Sequence, residues 1–411
     1  MKSRMRLVMS FVLSSVFACS RATPKQPPVI DAGPEVPSLA SSSILVKGVG
    51  ATNTDCRTGV CAHNEDTDLV RWNGAIFLVH RTAESQVLGP NSSLRIYRST
   101  DEGASFSLVA TIPAPAAQTV DDGGLADAGL DLGDGGFEAP SGRDLRDPAF
   151  YLVGGSLYVK ALTRLPVTLL RDTGVNTIAT ESHTDDGQTW TSLRPIGPAG
   201  WSFWRIKSQG GVYYSAAYHD GDDSVALFSS SDGISWAKNA DVFTDGSTTP
   251  SETELTFMPS GKLMALVRTD GNDDQLLGDA QLMTQVCWSD APYSSFRCDA
   301  PLTGVRLDGP LSFFREGRLF VVARKHLGSS DKKRTALYEV TGNFEGGPIG
   351  IQEWFEFPSA GDTAYAGGVA LDGGSELISW YSSDVPGDEP WVLGLLDASD
   401  IWTGSVQFQS P

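Results

Sequence analysis

The chain has 411 residues, 44 of them glycine, with 50 acidic side chains against 31 basic ones for a formal net charge of −19. That balance argues against a nucleic-acid partner, because phosphate recognition needs a basic face, although a few converging arginines could still hold an anionic ligand. Ten tryptophans, ten tyrosines and no long Ala/Leu/Glu/Lys stretch favour many short strands and glycine turns over helices.

At the start, Lys2, Arg4 and Arg6 precede an apolar run from Leu7 to Phe17 that is too short to cross a bilayer as a helix. With Val16-Phe17-Ala18 ahead of Cys19, residues 1–18 read as an export signal. A cysteine directly after the cut predicts a bacterial lipoprotein with Cys19 lipidated, at the outer membrane or facing the periplasm. Phe17 is bulky for that motif, and plain secretion is the alternative. Residues 19–43 are predicted to be the anchor cysteine and a Pro/Ser/Ala-rich tether, with the folded domain over 44–411. Cys56 and Cys61 lie five apart and Cys287 and Cys298 eleven apart. In an oxidising compartment that spacing predicts two local disulfides. Only five histidines occur, scattered along the chain, and neither a metal nor a cofactor is expected.

Short β-branched or aromatic runs follow from about residue 44, among them Ile76-Phe77-Leu78-Val79, Leu263-Met264-Ala265-Leu266-Val267 and Arg318-Leu319-Phe320-Val321-Val322. Glycine-containing turns such as Asn73-Gly74 and Ser260-Gly261 precede several of them, a hairpin signal. One turn phrase recurs. Ser99-Thr100-Asp101-Glu102-Gly103-Ala104-Ser105-Phe106 is echoed at His183 to Trp190, at Ser230 to Trp236 and, degenerately, at Trp288 to Phe296. Taken at Asp101, Asp185, Asp232 and Asp290, the spacings are 84, 47 and 58 residues. The long first gap contains an acidic low-complexity stretch, 113–141, read as a loop insertion between repeats. A calcium loop is the sharper reading of that stretch, but the EF-hand ligand order and its closing Glu are missing. Without the insertion the repeat is roughly 50–60 residues, which predicts an all-β, six-bladed propeller.

Propeller sites collect at one end of the channel, where inner strands and their loops converge. Polar segments that fit this placement run from Thr67 to Arg71 and on to Glu84, including Arg81; through Arg143 to Pro148, including Arg146 and Asp147; and through Trp201 to Arg205. Pro250 to Glu254 leading to Arg268, then Ala323-Arg324, then Gly361 to Tyr365 complete the set. Each has a plainer reading: Arg146-Asp147 as a loop ion pair, Arg205 stacked on Trp201 or Trp204, Glu252 paired to Arg268, Tyr365 as a packed aromatic.

The repeated turn resembles the Asp-box, S-x-D-x-G-x-[ST]-[FW], and the ordered segments resemble the sialidase (neuraminidase) superfamily from about 63 to 400. The resemblance implies a Tyr nucleophile at Tyr365, activated by Glu252, with Arg268 and Arg324 as two of three carboxylate-binding arginines. A neutral Tyr suits a sugar whose anomeric carbon bears a carboxylate, and at neutral pH it needs a neighbouring carboxylate to take its proton. Two features depart from the family. Glu65-Asp66-Thr67-Asp68-Leu69 stands where the first arginine belongs, and the loop Ser85 to Ser93 lacks the acid/base Asp, leaving Glu84 or Asp147 as substitutes.

The expected function is a sialidase-like exo-glycosidase acting on an acidic or polar terminal sugar, retaining through Tyr365. The alternative is a non-catalytic cell-surface carbohydrate-binding propeller. The expected partner is a glycan, with a monomeric chain touching the membrane only through its lipid anchor. Glu252, Arg268, Arg324 and Tyr365 should face one central pocket, with Arg81 and Asp147 at its rim and substrate contacts from Arg146 and Arg205. The two central arginines should point to a common place for an anionic group.

Overall fold

The computed structural model describes residues 35–86, 89, 91–115, 144–164, 177–219, 223–271, 282–328, 331–383 and 385–409. The export signal, Cys19, the early tether and residues 116–141 of the insertion lie outside them. Six antiparallel sheets follow one another along the chain, each starting at the channel and meandering outward. Their innermost strands are His63–Trp72, Asp144–Val153, Trp201–Gln209, Thr248–Phe257, Asp308–Arg315 and Thr363–Ala370. Each touches the next, and the sixth returns to the first, closing a ring of six blades. Strand makes up 62% of the described residues and helix 1%, the latter a single turn at Trp391–Gly394, so the expectation of a six-bladed all-β propeller holds.

Alternation builds the core. Along the second strand of the first blade, Ala75–Ala83, Ile76 and Leu78 face the sixth blade while Phe77 and Val79 face the second. In the fifth blade, Leu319, Val321 and Ala323 face the fourth and Phe320 and Val322 the sixth. A sheet covered on both faces has no solvent side, so these strands read as unbroken apolar runs. Six apolar clusters result, one at each blade interface.

The recurrent turn joins the third strand to the fourth in the first three blades. Asp101 Oδ1 accepts from Ser99 Oγ at 2.7 Å and from the Ser105 amide at 2.9 Å. Asp232 Oδ1 does the same for Ser230 Oγ at 2.8 Å and the Ser235 amide at 2.7 Å. In the second copy the acceptor is Asp186, bonded to Thr184 Oγ1 at 3.0 Å and the Thr189 amide at 2.7 Å, rather than the expected Asp185. The register is set by the hydroxyl two residues before the Asp, which makes Thr184 the start of the phrase. Gly187, at φ +76°, would bring a Cβ within 2.9 Å of the Phe77 ring on the preceding blade, so only glycine fits there. The phrase's aromatics, Phe106, Trp190, Trp236 and Phe296, pack against successive interface clusters. The fourth copy keeps only the aromatic, because Asp290 pairs with Lys262 instead.

The domain begins earlier than expected. Val36–Val46, assigned in part to the tether, is a strand that pairs antiparallel with Asp400–Gln409 and completes the sixth blade from outside. Pro37 suggested a linker. An outermost strand has a free edge, where a proline's missing N–H costs no ladder bond. Leu39 and Val46 meanwhile supply the apolar contacts. Both predicted disulfides form, Cys56–Cys61 ahead of the first inner strand and Cys287–Cys298 between directly paired residues of the fourth blade.

Candidate active site

All six inner strands carry a bulge at the same height, two residues facing one on the second strand. The register skips between Glu65 and Asp68, Arg146 and Ala149, Phe203 and Ile206, Pro250 and Thr253, Asp308 and Leu311, and Ala364 and Gly367. A bulge bends its strand and re-aims a side chain. At the first bulge position Asp66, Asp147, Gly309 and Tyr365 adopt φ of 55°, 47°, 55° and 46°. Left-handed backbone costs a non-glycine residue roughly 1–2 kcal/mol, and here it clusters at one height in the blades. The equivalent residues Trp204 and Ser251 do without it. Asp66, Asp147, Trp204, Arg205 and Tyr365 thereby line one pocket at the channel end, joined by Lys160 from a second strand.

Tyr365 and Glu252, 113 residues apart, are in direct contact, the phenol donating to Glu252 Oε1. Glu252 also accepts from Arg268 Nη1 at 2.8 Å and from the Gly309 amide at 2.7 Å. Arg268 Nη1 lies 3.3 Å from the phenol oxygen, the Arg324 guanidinium 5.1 Å from the ring centre, and Trp204 meets the ring edge-on at 5.8 Å. The ring lies over Gly309, whose notional Cβ would stand 2.9 Å from it. Burial and the Glu252 charge push the phenol's pKa well above 10, with Arg268 and Arg324 opposing, so Tyr365 is neutral at ordinary pH.

The arginines are all committed. Arg268 bonds Glu252, has Asp270 at 3.0 Å and Asp308 at 3.3 Å. Arg324 donates to Asp362 at 2.8 Å and to the Thr363 carbonyl at 2.8 Å. Arg205 binds Asp68 at 2.6 Å and lies 5.9 Å from the Trp204 ring, so pairing and stacking coexist. Arg146 spans Glu65 at 3.1 Å and the Gln86 carbonyl at 3.0 Å. Arg81 departs from expectation. It is fully buried rather than at the rim, held by Glu65, by Asp144 at 2.8 Å and by the Ser85 carbonyl, and has no free face for a ligand. A buried guanidinium needs such neutralisation, and Glu65 and Asp144 sit on the two inner strands flanking it.

Several site residues escaped the sequence reading. Asp66, noticed only as a missing arginine, occupies the same bulge position as Asp147 and accepts that residue's amide at 3.2 Å. Burial, then the charges of Glu65 and Asp147, hold its carboxyl well above the usual range, so it keeps a proton. The parallel phrases Glu65-Asp66 and Arg146-Asp147 were the signal that could have found it. Lys160, which no sequence motif singled out, is buried with its pKa lowered to about 8 by burial and donates to the Phe203 carbonyl at 2.6 Å. Asp308 and Arg306, 2.8 Å apart, had no motif to flag them. Glu84 is exposed. His63, Glu65 and Asp362 form a buried cluster, with His63 Nε2 at 3.4 Å and 3.8 Å from the two carboxylates.

No family model matches the chain, and no curated protein does. Many solved structures match its fold. A protein of unknown function from Dyadobacter fermentans superposes with a TM-score of 0.61 at 16% identity, covering 90% of this chain and 99% of that one. The intramolecular trans-sialidase of Ruminococcus gnavus gives 0.59 at 12%, covering 90% and 97%. Trypanosoma rangeli sialidase in complex with sialic acid gives 0.60 at 13%, covering 89% of this chain but 58% of that longer one. Among the described residues no helix is long and apolar enough to cross a membrane. Six closed blades, a channel-end site and these superpositions together identify the chain as a six-bladed β-propeller of the sialidase-like fold.

Proposed function

We propose that the chain is a retaining exo-glycosidase acting on a polar terminal sugar of a glycan. The contact between Tyr365 and Glu252 carries this reading. Tyr365 Oη attacks the anomeric carbon as its proton passes to Glu252, and the glycosidic C–O bond breaks. The leaving oxygen takes a proton from the Asp66–Asp147 pair, in which Asp66 is the protonated member. Water then attacks the tyrosyl-linked sugar, giving a proton to that pair while Glu252 returns one to Tyr365, and two inversions leave net retention. The phenol's raised pKa is why the adjacent carboxylate matters, since without a base the nucleophile stays protonated.

A panel of aryl glycosides run with wild type, Tyr365→Phe and Glu252→Gln tests the reading. Turnover should vanish in the Phe variant and fall by roughly 10²–10⁴-fold in the Gln variant. A second reading, a non-catalytic carbohydrate-binding propeller, draws on the full commitment of the arginines to internal carboxylates. Glycan binding without turnover in the wild type would favour it. We also infer that the mature chain is exported and lipid-anchored at Cys19, in keeping with its two disulfides. A chain starting at residue 35 should then leave the membrane fraction.

A further inference from the structure

Two central arginines were expected to converge on a place for a ligand's anionic group. They do converge, and the group between them is the protein's own. Asp308 Oδ1 lies 2.8 Å from Arg306 Nε and 3.3 Å from Arg268 Nε. Its Oδ2 lies 3.2 Å from Arg306 Nη2 and 3.8 Å from Arg324 Nη1. The same oxygen is 2.8 Å from His326 Nε2, whose other ring nitrogen faces the Lys333 ammonium at 2.7 Å. An ammonium only donates, so His326 Nδ1 accepts and Nε2 presents its N–H to Asp308. Both carboxylate oxygens are therefore engaged, and the residue is fully buried.

We propose that Asp308 is the built-in occupant of the anion place, so that the central pocket takes an uncharged sugar ring and refuses one bearing a carboxylate. The pairing of the arginines supports this. Three guanidinium groups, Arg268, Arg306 and Arg324, face four carboxylates, Glu252, Asp270, Asp308 and Asp362. The open pocket adds Asp147, with Asp66 carrying its proton and Lys160 and Arg205 on the same lining. A further carboxylate entering this low-dielectric region would find the guanidinium donors already in use by resident carboxylates. Asp308 is also held in place, because it opens an inner strand in direct register with Arg324 and the next amide, that of Gly309, is bonded to Glu252. Its pKa lies well below the usual carboxylate range despite burial, owing to Arg268, Arg306 and His326, so it remains charged. The neutrality of Tyr365 keeps its sense here, since the resident carboxylates would repel an anionic nucleophile as a substrate carboxylate does.

The ligand half of this inference rests on the glycosidase reading; the occupied anion place rests on the Asp308 contacts alone. The test therefore has two arms. In the first, wild type is given matched aryl glycosides differing only in a carboxylate: glucoside against glucuronide, galactoside against galacturonide, with a sialoside alongside. Turnover and calorimetric binding should favour the neutral member at least about ten-fold, and preference for a uronide or the sialoside overturns the proposal. In the second, Asp308→Ala and Asp308→Asn are melted with sodium formate against sodium chloride of equal ionic strength. Formate should raise the melting temperature of the Ala variant by several degrees, or allow it to fold where chloride does not, and leave wild type unmoved. Formate that rescues neither variant, or stabilises wild type equally, overturns it. Should no glycoside bind or turn over, the glycosidase reading and the ligand half fall together, while the formate arm still decides who fills the anion place.

Discussion

His80 sits next to Arg81 on the second strand of the first blade, fully buried and stacked on Tyr97 at 5.7 Å. Burial holds its pKa down at about 4, with the Arg95 charge adding to the effect and the bond to the Arg81 carbonyl opposing it. The folded chain therefore keeps His80 neutral while the unfolded chain takes up a proton below its ordinary 6.5. Between pH 6.5 and about 4 the unfolded state binds more protons, so stability must fall as the medium is acidified across that window. The full effect is roughly 3 kcal/mol at the acid end. Denaturant melts of wild type and His80→Phe at pH 7, 5.5 and 4.5 check this, with the variant expected to lose the smaller part of its stability. Parallel curves would show that His80 does not set the slope. At the same scale, Tyr365, Glu252, Arg268 and Arg324 were legible from their order along the chain. Asp308 and Arg306 were not, because an isolated Arg-x-Asp has no signature until folding surrounds it with partners.

The element that organises the site is the inner-strand bulge. Its regular height in six blades explains how residues from four separate blades reach one pocket, and why Gly309 occupies the fifth bulge. Its φ of 55° and the 2.9 Å approach of the Tyr365 ring leave no room for a side chain. Gly309→Ala should cost about 1–2 kcal/mol for the left-handed backbone. It should also push the phenol off Glu252, so turnover should fall far more than the melting temperature does. Equal, small losses in both would mean that the ring tolerates the methyl. The second strands were readable as unbroken apolar runs, since burial on both faces removes the polar half of the alternation. The bulges were not, because they arise from pairing with a neighbouring strand.

For the whole molecule, closure is the decisive feature. Val36–Val46 seals the ring by pairing with Asp400–Gln409, joining the two ends of the described chain. A chain starting at residue 35 should melt like the longer protein. One starting at 47 should lose cooperative melting or aggregate, because Asp400–Gln409 becomes a bare edge and the Leu39 and Val46 contacts disappear. Matching melts from the two truncations would remove the closure argument.

The sequence by itself determined the blade count, the turns, the two disulfides and the pairing of Tyr365 with Glu252 as candidates. The first three follow from local rules, namely alternation, glycine at positive φ and cysteines near in sequence, while the Tyr365–Glu252 pairing was what the family resemblance implied. Tertiary structure alone decided that Arg81 is a buried ion rather than a rim contact, that Asp66 stands beside Asp147, and that Asp308 fills the place between the arginines. The reason is electrostatic. A guanidinium's role depends on which carboxylates lie within about 4 Å, and here several of them come from other blades, as with Asp68 and Arg205, 137 residues apart.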